Sequence, residues 1–451
     1  MKTLKKLGFL SLAVCVILVL LAGCGGNNEK TDVATQSDPG KVEQTDKKKV
    51  IKWFIARGVD GPIAQTVKEI ADEFTKTHPN FQLVLEGIGD RPSYLQKLRT
   101  LIASNEMPDM FDTDPDAYAD KLVKLGLLVD MKKVLKDIGK YDDYRPIALQ
   151  YQQFADGSMY TLPLEYGIEG FWYNIKIFND LGLKTPTTFD ELMTASETLK
   201  KNKITPMAVD GKDNWPVLRY LAFKPFRLTG NDFIEKVKKG EASFTEPAGM
   251  AGIKFLHEIG EKKYFQQGFS ATDYTAARDL FLAGKTAMYY MGTWETMNFA
   301  NENISAEMKD NIGFFKLPTM DGATTKPNDY FINSGIGVAF NAKTFDSTTQ
   351  EFLKFLLEKY PEAYTKKGQF SPFKFTLGTD VKMPEIFKRM QKEMEQSGTT
   401  YAVPWDTRFD PATNELIGNE ISALVLGASS PEEFAKKMDA AIKENAPKYF
   451  K

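Results

Sequence analysis

Cysteine and histidine are almost missing from this chain. Its 451 residues hold two cysteines, Cys15 and Cys24, and two histidines, His78 and His257. Neither they nor the carboxylates fall in clusters at the ligand spacing that a metal site needs. Nor do they offer a thiol pair after loss of the N-terminal segment, so stability has to come from a large buried core. A chain of this length can build one and usually divides into two domains. An excess of charge is missing too. The formal net charge is −2, and no basic stripe marks a nucleic-acid surface. A Gly-x-Ser-x-Gly elbow, a phosphate loop and a dinucleotide fingerprint are all absent, and Gly335-Ile336-Gly337 stands alone inside a strand pattern. No catalytic residue, metal or cofactor is therefore expected.

A bilayer-spanning run is likewise missing. Lys2, Lys5 and Lys6 precede an apolar stretch, 7–21, that only Gly8 and Ser11 interrupt. This is too short to span comfortably and reads as a signal peptide. It ends in Leu21-Ala22-Gly23-Cys24, which resembles the lipobox of bacterial lipoproteins. That resemblance implies cleavage after residue 23 and a lipid on Cys24. The alternative is an ordinary secretory signal with a chance cysteine. Residues 24–49 are then a lipidated cysteine and a polar tether with too little apolar surface to order itself.

From residue 50 onward the periodicity predicts α/β structure. Residues 50–56 read as a buried strand, Ile63, Val67, Ile70, Ala71 and Phe74 as one helix face, and 81–86 as a second strand. Ser93 to Gln96 reads as a capping box, 109–113 as a third strand, and Gly126 as a helix stop. This βαβαβα order predicts a mostly parallel sheet with helices on both faces. Further strands are expected at 167–173, 286–291, 311–315 and 332–341. Thr188 to Glu191 reads as another capping box. Helices are expected at 274–283, 349–359, 384–396, 412–426 and 431–444.

Aromatic residues are plentiful, at 12 % of the chain. Several stand beside polar groups: Trp294 with Glu295, Trp215 after Asn214, and Trp405 with Asp406 and Arg408. A flat ring covers the apolar face of a pyranose while carboxylates, Arg and amides bind its hydroxyls, so this pairing suits a carbohydrate site. The alternative is that each Trp is core, which Trp53 and Trp172, inside strands, are expected to be.

Four stretches carry a wider likeness: Met107-Pro108-Asp109-Met110-Phe111, then Asp116 to Leu128, Tyr160 to Asn174, and Phe281 to Trp294. Together they resemble the extracellular solute-binding proteins of ABC importers, the family that includes maltose-binding protein and many oligosaccharide-binding lipoproteins. The resemblance implies a two-lobed periplasmic-binding-protein-like fold, each lobe a mostly parallel sheet flanked by helices, with the ligand cleft at the hinge. Lobe one would comprise 50–163 plus 318–372, and lobe two 165–316 plus 375–451. It implies a stacking role for Trp294 and a site at Arg57, Asp112 and Asp114. Glu165 and Tyr166 at a crossover, Trp215, and Trp405 with Asp406 and Arg408 would complete it. The family's stacking tyrosine near Trp215 is Lys212 here. Gly292 is expected to let backbone and ligand approach closely.

The resulting expectation is a monomeric, membrane-anchored protein on the outer face of the bacterial cytoplasmic membrane. It would bind a sugar, foremost an oligosaccharide, and pass it to an importer's permease without catalysis. The alternatives are a surface-anchored glycoside hydrolase, which needs two carboxylates flanking the scissile bond, and a structural adhesin with no cleft.

Overall fold

The computed structural model describes residues 48–154, 156–378, 381–396 and 401–449. The expected signal peptide and Cys24 lie outside the described residues. The first sheet is built on β1 (Lys49–Ile55), β2 (Phe81–Gly87) and β3 (Met110–Thr113), with β4 (Thr161–Leu162) at one edge. The second holds β5 (Gly167–Asn174), β6 (Thr205–Ala208), β7 (Thr286–Gly292), β8 (Ile312–Phe315) and β9 (Tyr330–Asn333). The chain then returns to the first sheet as β10 (Gly337–Phe340) and ends in the second as β11 (Tyr401–Ala402).

Alternation along β1 explains its place at the centre of the first lobe. Ile51, Trp53 and Ile55 enter one core with Ala64, Val67 and Ala71 of the helix Pro62–Phe74. Phe54 and Ala56 enter another with Tyr94 and Leu98 of the helix Arg91–Ala103. A strand covered on both faces reads as a continuous apolar run, which is why residues 50–56 were legible. The order is β2-β1-β3-β10-β4, parallel among β1, β2 and β3 and antiparallel where β10 meets β3 and β4.

The second sheet corrects the expectation of a mostly parallel arrangement. Its order is β11-β9-β5-β7-β6, with β8 also on β5. β5 runs antiparallel to β7, β8 and β9, and only β6–β7 and β9–β11 are parallel among the described residues. The reason is the direction of entry. β5 comes straight out of the crossing at residues 163–166, whereas β7 and β9 run back towards it. β6 and β7 can be parallel because helices, among them Trp215–Thr229 and Pro247–Glu261, fill the long connection between them. The Trp215–Thr229 helix buries Tyr220, Phe223 and Phe226 in the lobe's main core.

Three further differences bear on the site. The segment expected in lobe one from residue 318 does not reach the first sheet until β10, because β9 pairs with β5 and β11. The strand expected over 332–341 is broken at residues 334–336, where Gly335 takes φ 72°, a left-handed conformation that suits glycine. The helix after β2 starts at Arg91 with Asp90 as its cap, not at Ser93. Asp90 accepts the Ser93 N–H at 2.9 Å, and Pro92 fits the first turn, where no intrahelical donor is needed. The Thr188 capping box forms as expected.

Candidate functional site

The chain crosses between the sheets at 163–166 and 334–336. Around these crossings the carboxyl ends of the parallel strands from both lobes face a common cavity of about 590 Å³. That is where open α/β sheets present loops to ligands. Arg57 follows β1, Asp90 and Arg91 follow β2, and Asp114 follows β3. From the other lobe come Lys212, Asp213, Trp215 and Arg219 after β6, and Trp294 after β7. Glu165, Asn333, Gly335 and Ile336 belong to the crossings or their edges. A second cavity of about 810 Å³ adjoins the first and shares Arg91, Asp114, Lys212, Asp213, Trp215 and Asp406 with it.

Trp294 is held rigidly. Its indole lies over Gly167 and Gly292; a Cβ at Gly292 would meet the ring at 2.0 Å. The space that Gly292 leaves open is thus filled by this ring, which corrects the expectation of a direct backbone approach by ligand. Trp294 Nε1 donates to the Tyr274 hydroxyl at 3.0 Å. Tyr274 in turn donates to Glu295, a buried carboxylate that also accepts from Asn298 at 2.8 Å. Glu295 therefore sits behind the wall and fixes Tyr274, which fixes the indole.

Each cation on the wall has an acidic partner. Arg57 Nη1 meets Glu165 Oε1 at 2.6 Å and its Nη2 donates to the Ile336 carbonyl at 3.2 Å. The Glu165 side chain lies against Gly335, where a Cβ would collide with it. Arg91 pairs with Asp114. Lys212 Nζ reaches across to Asp90 Oδ1 at 3.1 Å, joining the two lobes. Arg219 bridges Glu169 at 2.9 Å and Asp406 at 2.6 Å, and its guanidinium lies 5.0 Å from the Trp215 ring centre, a cation–π contact. Asn214, just before Trp215, takes φ 63°; Asn tolerates this conformation better than most residues, and the turn sets Asp213 and Trp215 on the wall.

Burial shapes the charge of the groups behind this wall. It pushes the Asp112 carboxyl up to about 6, against the opposing pull of Arg57 and of hydrogen bonds from Ala56 and Trp53. Burial likewise raises Glu169, opposed by Arg219, and pushes Asp210 up to about 7.

Of the residues expected to bind ligand, Arg57, Asp114, Glu165, Trp215, Trp294 and Asp406 line the cavity. Asp112 is 1 % exposed and sits beneath it, accepting from Trp53 Nε1 and Ala56 N at 2.9 Å. Tyr166 lines a separate small pocket with Arg145 and Phe370. Trp405 is core, stacked 5.5 Å from Phe233 and edge-on to Phe244. Arg408 is not on either cavity wall. Sequence reading missed Asp90, Arg91, Tyr151, Asp213, Arg219, Asp273, Tyr274 and Asn333. Arg219 had a signal, its place four residues after Trp215 on one helix face. Tyr274 had none, since it reaches Trp294 only through the fold.

Comparison with known proteins agrees with this architecture. An ABC transporter extracellular-binding protein of Pyrococcus horikoshii is 24 % identical over 98 % of this chain and 92 % of its own length. The multiple sugar-binding protein of Streptococcus mutans is 24 % identical over 79 % of each chain. A solved chitin oligosaccharide binding protein superimposes with a TM-score of 0.77 at 23 % identity, covering 88 % of this chain and 99 % of its own. The family model for bacterial extracellular solute-binding proteins matches residues 60–359. The two lobes, the cavity at their crossings and that match together establish that this chain belongs to the bacterial extracellular solute-binding protein family.

Proposed function

We propose that this protein captures a sugar, foremost an oligosaccharide, and delivers it to the permease of an ABC importer without altering it. The observation that carries the reading is the Trp294 indole, locked over Gly167 and Gly292 on the wall of a cavity otherwise rich in charged and polar groups. A fixed aromatic platform ringed by hydrogen-bonding groups offers what a pyranose presents: one apolar face and a rim of hydroxyls. Trp215, shared with the adjoining cavity, supplies a second ring, and the room in the two cavities together favours several sugar units over one. The sugar- and oligosaccharide-binding proteins it resembles point the same way. The comparisons lend the hydrolase alternative no support.

A thermal-shift screen across mono- and oligosaccharides tests this. A ligand that binds only the folded state stabilises it, by about 2.7 kcal/mol at one hundred times Kd, and so raises the melting temperature. The expected result is a clear rise with at least one oligosaccharide, recovered uncleaved after overnight incubation. No rise with any carbohydrate, or a cleaved product, overturns the reading.

The protein works outside the cytoplasm, as its family does. The finer proposal is a monomer held to the membrane by a lipid on Cys24. Changing Cys24→Ala releases the protein into the soluble fraction, and mass spectrometry of the native form finds residues 1–23 missing and a lipid-sized mass added. An unlipidated native form defeats the anchor.

A further inference from the structure

We propose that the cavity beside Trp294 admits neutral or amino-bearing sugar units and rejects those that carry carboxylate, sulfate or phosphate. The inference deepens the sugar-binding reading and rests on it. An anionic sugar is recognised by a cation free to turn to it, most often Arg or Lys. On this wall the cations are Arg57, Arg91, Lys212 and Arg219. All are already engaged: Arg57 by Glu165, Arg91 by Asp114, Lys212 by Asp90, and Arg219 by both Glu169 and Asp406.

Two wall carboxylates, Asp213 and Asp273, stand in none of the salt bridges among the described residues. Asp273 caps the helix Tyr274–Leu282 by accepting the Ala276 N–H at 2.9 Å. Both lie close enough to Lys212 to strengthen its charge, alongside Asp90, so three carboxylates face one ammonium. Asp406 likewise adds to Asp114 around Arg91. A ligand carboxylate entering here would meet an acidic excess. To gain Arg57, Arg91 or Arg219 it would have to take that cation from a largely buried carboxylate, Glu165, Asp114 or Glu169, leaving it uncompensated. The more exposed Lys212 already answers to Asp90, Asp213 and Asp273. A hydroxyl or amide faces no such conflict, since it can donate to the same carboxylates and accept from the same guanidinium groups.

The test uses matched probes on the purified chain, by thermal shift and then calorimetry. Cello-oligosaccharides are compared with their C6-oxidised cellouronates. Xylo-oligosaccharides are compared with glucuronic-acid-bearing xylo-oligosaccharides, and chito-oligosaccharides with deacetylated glucosamine oligomers. The expected result is that every binder is neutral or amino-bearing, and that the anionic member of a binding pair is at least about 100-fold weaker, a factor equal to about 2.8 kcal/mol. An anionic probe that binds within tenfold of its neutral partner, or binds when the neutral one does not, overturns the proposal. If no probe of any charge binds, the sugar-binding reading itself falls and this inference with it. A double variant, Asp213→Asn with Asp273→Asn, keeps the helix cap, since Asn caps as well as Asp. It narrows the gap between neutral and anionic partners; an unchanged gap defeats the charge argument while leaving sugar binding intact.

Discussion

Trp294→Ala weakens oligosaccharide binding by about 30- to 900-fold in titration calorimetry, the equivalent of roughly 2–4 kcal/mol for the loss of a central aromatic anchor. The indole is part of the cavity wall, and its removal leaves the space over Gly292 open to water. It also strips the Tyr274 hydroxyl of the indole donor, so some stability is lost as well. Trp53→Ala is the contrasting control. Trp53 is 1 % exposed in the first-lobe core and donates to Asp112, so its truncation costs about 3–5 kcal/mol of folding free energy. The two variants separate, one losing chiefly affinity and the other chiefly fold. Wild-type sugar affinity in Trp294→Ala would remove the strongest element of the site.

Arg219→Met costs as much stability as the Trp53 control, about 3–5 kcal/mol in denaturant unfolding. Arg219 is 2 % exposed and its partner Glu169 fully buried, so the variant strands a carboxylate in the protein interior. Asp406, partly exposed, can turn to water. The loss depends on pH in a defined sense. Burial already holds Glu169 above its usual value, and without Arg219 only the hydrogen bond from Asn333 opposes that. A folded pKa above the unfolded value of about 4.3 means stability is lost as pH rises from the unfolded pKa through the folded one. The deficit is therefore smaller near pH 5 than near pH 8. Adding Glu169→Gln to Arg219→Met removes the stranded charge and recovers much of the stability. If Arg219→Met unfolds at the wild-type midpoint at both pH values, the network is not what holds this wall.

What was legible in the sequence follows from what is local. The β1 strand and the Pro62–Phe74 helix were readable because their burial is written in the period of their own residues. The Thr188 cap was readable because its partner lies three residues away. Asp90 was overlooked as a cap because Ser93 offered the same chemistry, and only the position of Pro92 favours the earlier start. The antiparallel pairings of β5 were not legible, since strand direction depends on where a distant segment enters. In the site, Trp294 and Arg57 were placed because they follow strands at their carboxyl ends, and Trp215 by its likeness to a family element and its polar neighbour. Trp405 has an equally polar neighbour in Asp406, yet its ring turns into the core beside Phe233 and Phe244. Short-range context cannot say which way a side chain at an element boundary turns.

The position of β10 bears on how the protein is made. β10 lies between β3 and β4, and it comes from residues 337–340. The first lobe thus lacks an interior strand until most of the chain has been synthesised, and β4 has no neighbour in the sheet before then. Pairing over so long a separation delays folding, because the ends of a large loop must meet before the contact yields anything. The first sheet therefore cannot close before residue 340 has been made, which leaves the first lobe incomplete through most of synthesis.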